Sequence, residues 1–402
     1  MAAGAPAAAG TAREVFGVFL RLGLTSFGGP IAHLAYYRRE LVERRAWLDD
    51  EQYGQLLAFT HFLPGPASTQ IGFSLGLLRA GWPGALAAFG AFALPSALLM
   101  FAFATLLPAL SGPWAAAALH GLKLVALSVV AHGVVGMARR LCPDLPRAAI
   151  AVVAAGAILL AASVALQLLV IAAAALAGLL LCRHLAPVAA RDLPLPHGPR
   201  LGILLLTVFA LLLAALPWLA ASGGLAAAAA AFYRAGALVF GGGHVVLPLL
   251  QQGVVQPGWI GADEFLSGYG AAQALPGPLF TFSAFLGARL PGADGGATGA
   301  LVALAAIFLP GLLLVAGGLP LWRSLARRPA AVRMVAGVNA GVVGLLAAAL
   351  YDPLWVSAVR APADVAIAAA GLAALQFARL SPLWIVLWCV LASLGLAVTF
   401  PR

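Results

Sequence analysis

Apolar residues fall in long blocks along this chain, separated by short stretches that carry most of its arginines and carboxylates. Nine blocks run without interruption, at 84 to 108, 117 to 138, 148 to 163, 165 to 182, 201 to 221, 297 to 318, 333 to 351, 363 to 378 and 382 to 400. A helix needs about 20 apolar residues to cross the hydrocarbon layer. Barrel strands would instead alternate apolar and polar positions in short segments, and that alternation is absent. The pattern therefore predicts an all-α, polytopic membrane protein. Four further blocks, 14 to 37, 54 to 78, 227 to 250 and 265 to 288, are broken near the middle by Gly or Pro. These predict broken or re-entrant helical hairpins.

The broken blocks come in pairs because the chain is a duplication. Phe19-x-Arg21-x-Gly23 with Phe27-Gly28-Gly29-Pro30 recurs as Phe232-x-Arg234-x-Gly236 with Phe240-Gly241-Gly242-Gly243. Trp47 and Leu63-Pro64-Gly65-Pro66 recur as Trp259 and Leu275-Pro276-Gly277-Pro278. Leu94-Pro95 recurs as Leu309-Pro310, and Gly121-x-Lys123 as Gly337-x-Asn339. The expected organisation is a first repeat over 1–199, an inverting linker helix over 200–223 and a second repeat over 224–402.

Charge sets the orientation. If each broken block enters and leaves by one face, the arginines of 39 to 45, Arg79 and those of 139 to 147 and 183 to 200 share a side. Block 201 to 221 then crosses once, 251 to 264 (which has no Lys or Arg) lies opposite, and the 323 to 333 loop returns to the basic side. That side is the cytoplasmic one, with Arg289 and Arg360 as exceptions. The two halves are thus expected to have inverted topology. Four full crossings would also invert them, but would split the basic loops of the first half between two faces.

Composition agrees: 63% of the 402 residues are apolar and 9% are charged. The net charge of +10 sits in short loops, not on one soluble face, so no nucleic-acid partner is expected. Met1 to Gly10 lacks the charge and cleavage pattern of a removable signal. Cys142, Cys182 and Cys389 are dispersed, which argues against a disulfide framework or a metal cluster. There is no Walker A or HExxH sequence and no defensible Ser/His/Asp set, so an enzyme is not expected, nor is any cofactor or metal.

The chemistry that remains suits an anion. Pro64-Gly65-Pro66 must break a helix, and Pro66 suits the first turn of the next one. The amides of Ala67, Ser68 and Thr69 then open toward the break at the positive end of the helix dipole, as oxyanion sites do. Ser68, Thr69 and Gln70 add polar side chains there, and Thr281 does so after Gly277 and Pro278. A packing kink is the plainer reading of one such break; its recurrence with hydroxyl residues in both halves favours a site. Arg21 and Arg234 occupy equivalent positions in apolar stretches, facing either a wet cavity or, by snorkelling, an interface. Gly28, Gly29, Gly241 and Gly242 suit a loop that lines a cavity or a close helix contact. Lys123, the only lysine, and its counterpart Asn339 are further candidates. His33, His61 and His244 are candidate proton relays, each also explicable as a hydrogen-bonded structural residue. Among carboxylates, Glu40, Glu43, Asp49, Asp50, Glu51, Asp263, Glu264, Asp294 and Asp352 lie near block ends, away from the centres a cation path needs.

In combination, these motifs carry a resemblance. Phe27-Gly28-Gly29-Pro30-x-Ala32-His33, Glu40, Arg44, Trp47, Pro64-Gly65-Pro66-x-x-x-Gln70 and Gly81-Trp82-Pro83-Gly84 resemble the N-terminal signature of the chromate ion transporter family. Phe240-Gly241-Gly242-Gly243-His244, Pro276-Gly277-Pro278 and Gly337-Val338-Asn339-Ala340 resemble its C-terminal signature, in the long two-domain form. The resemblance implies export of chromate, with sulfate as a competing tetrahedral oxyanion, across a bacterial inner membrane, conferring chromate resistance. An antiporter is one form this takes. The expected partners are that oxyanion and the lipid bilayer, and a homo-oligomer is left open. A lipid-phosphate-handling or scaffold protein is the competing reading. The halves are not chemically equal: Phe280 stands at the counterpart of Ser68, and Gln273 at that of His61.

Overall fold

The computed structural model describes residues 10–161, 164–186, 193–240 and 243–399, and every regular element among them is helical. In the first half, α1 (Ala12–Thr25) passes through a break into α2 (Gly29–Tyr37), whose end widens into π geometry over Arg38–Arg44. Next come α3 (Asp50–Phe62), α4 (Ala67–Leu106), α5 (Pro113–Leu141), α6 (Leu145–Leu160) and α7 (Val164–Leu181). The linker is α8 (Pro199–Ala221). The second half runs α9 (Gly224–Leu238), α10 (Val246–Leu250), α11 (Ala262–Ala272), a 3-10 turn Leu279–Thr281 leading into α12 (Phe282–Ala288), and α13 (Gly296–Gly318). It ends with α14 (Trp322–Ala326), α15 (Pro329–Ala349), α16 (Val356–Ala358), α17 (Pro362–Gln376) and α18 (Pro382–Thr399). Each uninterrupted apolar block becomes one helix or helical leg to within a turn.

Six helical runs among the described residues are long and apolar enough to cross a membrane. Large apolar side chains such as Leu204, Leu211, Trp218, Leu160 and Leu391 point outward, as they must where the solvent is lipid. This is a polytopic membrane protein.

Although α4 is continuous in hydrogen bonding, it is two legs. Ala80 (φ −143°, ψ 27°) and Gly81 (φ 62°, ψ −156°) leave helical geometry. Residues eight apart in a straight helix are about 12 Å apart along the axis. Here Gly76 and Gly84 meet so closely that a Cβ on either would strike the other's carbonyl. The legs 67–79 and 82–106 therefore run antiparallel. Gly287 and Gly299 bring α12 against α13 in the same way.

Corresponding helices make corresponding contacts, with α1 against the second leg of α4 and α9 against α13. The long helices cross between halves. α6 and α7 pack on α15, and α17 and α18 pack on α5. That exchange explains one repeated motif. Gly121 of α5 abuts Cys389 and Val390 of α18, with 2.7 Å between a Cβ at 121 and the Val390 Cα; Gly337 of α15 likewise abuts Ala174 and Gly178 of α7. The two repeats of the sequence are thus interleaved in space. At the α5–α6 corner, Asp144 caps α6 and binds Arg147 (2.8 Å) and His184 beyond α7 (3.0 Å). The hydrogen bond from Arg147 holds the Asp144 carboxyl down at about 2.

Candidate functional site where the helix breaks meet

The helix breaks converge through reciprocal backbone bonds. The Gly65 N–H, inside Pro64-Gly65-Pro66, donates to the Val239 carbonyl at the end of α9 (2.6 Å). The Gly277 N–H, inside Pro276-Gly277-Pro278, donates to the Ser26 carbonyl at the end of α1 (3.1 Å). Gly65 corresponds to Gly277 and Ser26 to Val239, so each half gives the other what it receives. Such exchange is the mark of a two-fold relation. The helices behind the tips obey it too. A Cβ on Gly65 would lie 3.1 Å from the Gly311 Cα of α13, and a Cβ on Gly277 would lie 2.7 Å from Ser96 Oγ of α4. Both tip glycines have left-handed φ, +123° and +96°. An L side chain would be strained and crowded at either place.

Polar groups gather at the first tip. The helix restarts after Pro66, with Gln70 N–H the first to find a backbone acceptor, the Pro66 carbonyl at 2.9 Å. The amides of Ala67, Ser68 and Thr69 therefore have no partner within the helix. His33 of α2 is fully buried, with Nε2 3.1 Å from the Ser26 carbonyl and Nδ1 3.3 Å from Ser68 Oγ. The hydroxyls of Ser26 and Thr69 are buried without a hydrogen-bond partner among the described residues, as is that of Ser283 in α12 of the second half. Gln70 is used differently from the sequence expectation. Its Nε2 donates to the carbonyls of Pro64 (2.8 Å) and Gly311 (3.1 Å), which leaves only Oε1 unpartnered. It holds the tip closed on itself and against α13.

The second tip is drier. Phe280, where the first tip has Ser68, is buried and tilted against Phe308 with centroids 5.7 Å apart. Thr281 donates its hydroxyl to the Pro278 carbonyl at 2.8 Å, and its N–H is also taken by that carbonyl at 3.0 Å. Arg234 is half-buried in α9 with no hydrogen bond or ion pair among the described residues. It lies five residues before Val239, about 7.5 Å along the axis.

Other expected site residues lie elsewhere. Arg21 faces outward from α1 and lines a cavity of about 430 Å³ with Thr11, Arg13, Glu14, Gly17, Val18 and Arg45. Lys123 is 3% exposed and its Nζ is bound to Asp263 Oδ1 at 2.6 Å, joining α5 to the start of α11; Asp263 also meets Arg360 at 3.4 Å. Its charge is already matched. Asn339 is buried in α15 with Oδ1 unpartnered. His61 is exposed near the end of α3, bound to the Leu57 carbonyl at 2.6 Å and to Arg140 at 3.4 Å. His244 meets the Tyr269 hydroxyl at 2.9 Å, its ring admitted by Gly133 of α5. Gly28 (φ +105°) and Gly29 (φ +75°) turn the chain between α1 and α2, while Gly241 and Gly242 lie outside the described residues. Sequence reasoning missed Ser26, Val239, Ser96 and Gly311. Position 96 is followed by the same rule as 311, the residue after a repeated Leu-Pro, which was the available signal.

Fold and site together define a multi-pass, all-helical membrane protein whose polar centre is built from interrupted helices. The sequence matches the Chromate transporter family over residues 13–179 and 226–394, and the chain belongs to that family. It is 30% identical to the chromate transport protein of Cupriavidus metallidurans over 346 residues, covering 83% of this chain and 80% of that one. It is 29% identical to a probable chromate transport protein of Synechococcus elongatus over 336 residues, covering 81% and 80%. An uncharacterized transporter of Bacillus subtilis shares 35% identity over 88 residues, 22% of this chain and 45% of its own. No solved structure matches.

Proposed function

We propose that this protein is a secondary transporter that exports chromate across a bacterial inner membrane, with sulfate competing for the same site. The observation that carries the reading is the meeting of the breaks, which sets the open amides of Ala67, Ser68 and Thr69 beside unpartnered hydroxyls of Ser26 and Thr69. A tetrahedral dianion needs several donors converging from different directions, and a helix N-terminus supplies three already oriented. Arg234 adds a cation that no carboxylate claims among the described residues. Hydrogen bonds to a charged ligand contribute roughly 1.5–3 kcal/mol each, so a few of these groups suffice for useful affinity.

The inverted relation of the halves and the re-entrant form of the hairpins belong to the same proposal. Their support is the reciprocal bonding of the tips together with the placement of arginines in loops. The bonds Gly65–Val239 and Gly277–Ser26 join the two halves, and alternating access would have to shift or exchange them. A lipid-phosphate-handling role has one observation in its favour, the outward cavity lined by Arg13, Arg21 and Arg45. Flux decides between them. Purified protein in liposomes should carry chromate saturably and be inhibited by sulfate; correctly inserted protein with no saturable flux in either direction would overturn the transporter.

A further inference from the structure

The hydrogen bond between His33 and Ser68 has a direction, set by a third group. The Ser26 carbonyl can only accept, so His33 Nε2, 3.1 Å away, carries a hydrogen. In a neutral ring Nδ1 then has none, and it accepts the hydroxyl hydrogen of Ser68 across 3.3 Å. Ser68 has thus turned its single donor inward. What it leaves toward the start of α4 is lone pairs, which repel an oxyanion. Adding a proton to Nδ1 reverses the bond. Nδ1–H now donates to Ser68 Oγ, and the Ser68 hydrogen is released to donate to a ligand.

The surroundings make that proton dependent on the ligand. His33 is fully buried. The groups that face it are Ser26 from the α1–α2 break, Ser68 from the first leg of α4, and the Phe92 ring from the second leg at 5.2 Å. Tyr37, one turn along α2, packs on the same Phe92 ring. No carboxylate, lysine or arginine among the described residues pairs with His33. An isolated imidazolium here would be costly. A dianion at the Ala67–Thr69 amides supplies the missing counter-charge, and the imidazolium in turn supplies the missing donor through Ser68. Each favours the other.

We infer that His33 is the proton-linked switch of the oxyanion site, taking a proton from water on Nδ1 as the anion binds and turning Ser68 from acceptor to donor. The inference rests on the reading of the first tip as that site. Binding and protonation are then reciprocal, and affinity rises about tenfold per unit fall in pH wherever His33 is neutral free and charged in the complex. In transport, the anion would move with one proton on the protein.

The test is calorimetric binding to purified full-length protein in buffers of different ionisation enthalpy, between about pH 5 and 8. The probe is sulfate, or chromate with its own protonation measured separately and subtracted. Wild type should take up close to one proton per anion bound. In His33→Gln the amide can still donate to the Ser26 carbonyl and accept from Ser68, but cannot titrate; uptake should fall to near zero, with affinity weakened and independent of pH. Ser68→Ala should also lose most of the uptake while keeping His33, which guards against a folding artefact in one variant. Anion binding without proton uptake in wild type, or unchanged uptake in His33→Gln, would overturn the switch and leave the site standing. No binding of either anion by folded wild type would overturn the site and the switch together.

Discussion

The two Pro-Gly-Pro tips share a backbone and differ in chemistry. Each bends at a glycine of positive φ, donates that glycine's N–H to the end of the other half's first helix, and lies against the proline-containing helix of the other half. The side chains then part company. Ser26, His33 and Ser68 are linked at the first tip. Val239, Val246 and Phe280 stand at the corresponding positions, so the whole polar set is exchanged for apolar residues at once. Gln70 becomes Phe282, packed on Phe265 and Tyr269 with centroids 5.3 and 5.7 Å away. A duplicated fold keeps what the backbone needs and is free to lose what the ligand needs, provided that one copy retains it. The lesson is that the two tips share their backbone contacts and differ in the polar groups they carry, Ser26, His33 and Ser68 at the first against Val239, Val246 and Phe280 at the second.

The largest expected effect falls on what the tips share. At Gly65 an alanine Cβ would stand 2.7 Å from Gln70 Nε2 and 3.1 Å from the Gly311 backbone, in a conformation that itself costs about 1–3 kcal/mol. Gly65→Ala should abolish folded protein, read as loss of the monodisperse peak in detergent. Gly277→Ala meets Ser96 Oγ first, and pairing it with Ser96→Ala should restore part of the yield. If both single variants behave like wild type, the reciprocal tip contacts do not hold the halves together.

A smaller effect separates the tips. Gln70→Leu makes the first tip resemble the second and leaves the Pro64 and Gly311 carbonyls without their donor. The cost is about 1–3 kcal/mol, seen as a lower midpoint of thermal inactivation. An unchanged midpoint would mean those carbonyls find other donors and that Gln70 is free for ligand after all.

Much of this was legible in the sequence, and the limits are physical. The spans were readable because a bilayer demands long apolar runs, and the breaks because Pro64-Gly65-Pro66 cannot remain helical. The duplication was readable from Arg21 and Arg234, and from the paired glycines. What those residues face was not. Arg21 and Arg234 sit in the same Phe-x-Arg-x-Gly frame, yet Arg234 is half-buried in α9 while Arg21 looks outward from α1. Lys123 looked like a buried cation awaiting a ligand because Asp263 lies 140 positions further on and reaches it through the α5–α11 contact. The interleaving of α6 and α7 with α15 leaves no trace in hydropathy, since a helix is equally apolar whichever half it packs against. Ser26 was passed over because its decisive atom is a backbone carbonyl.

The central claim is that oxyanion binding is concentrated at the first tip. Sulfate-inhibitable chromate flux in liposomes, compared between Ser68→Ala/Thr69→Val and Thr281→Val at matched protein insertion, tests it most directly. Losing two donors to a charged ligand should weaken apparent affinity roughly 100-fold or more, whereas Thr281, already bound to Pro278, should change it less than about threefold. Equal losses at the two tips, or a loss at Thr281 alone, would contradict the account.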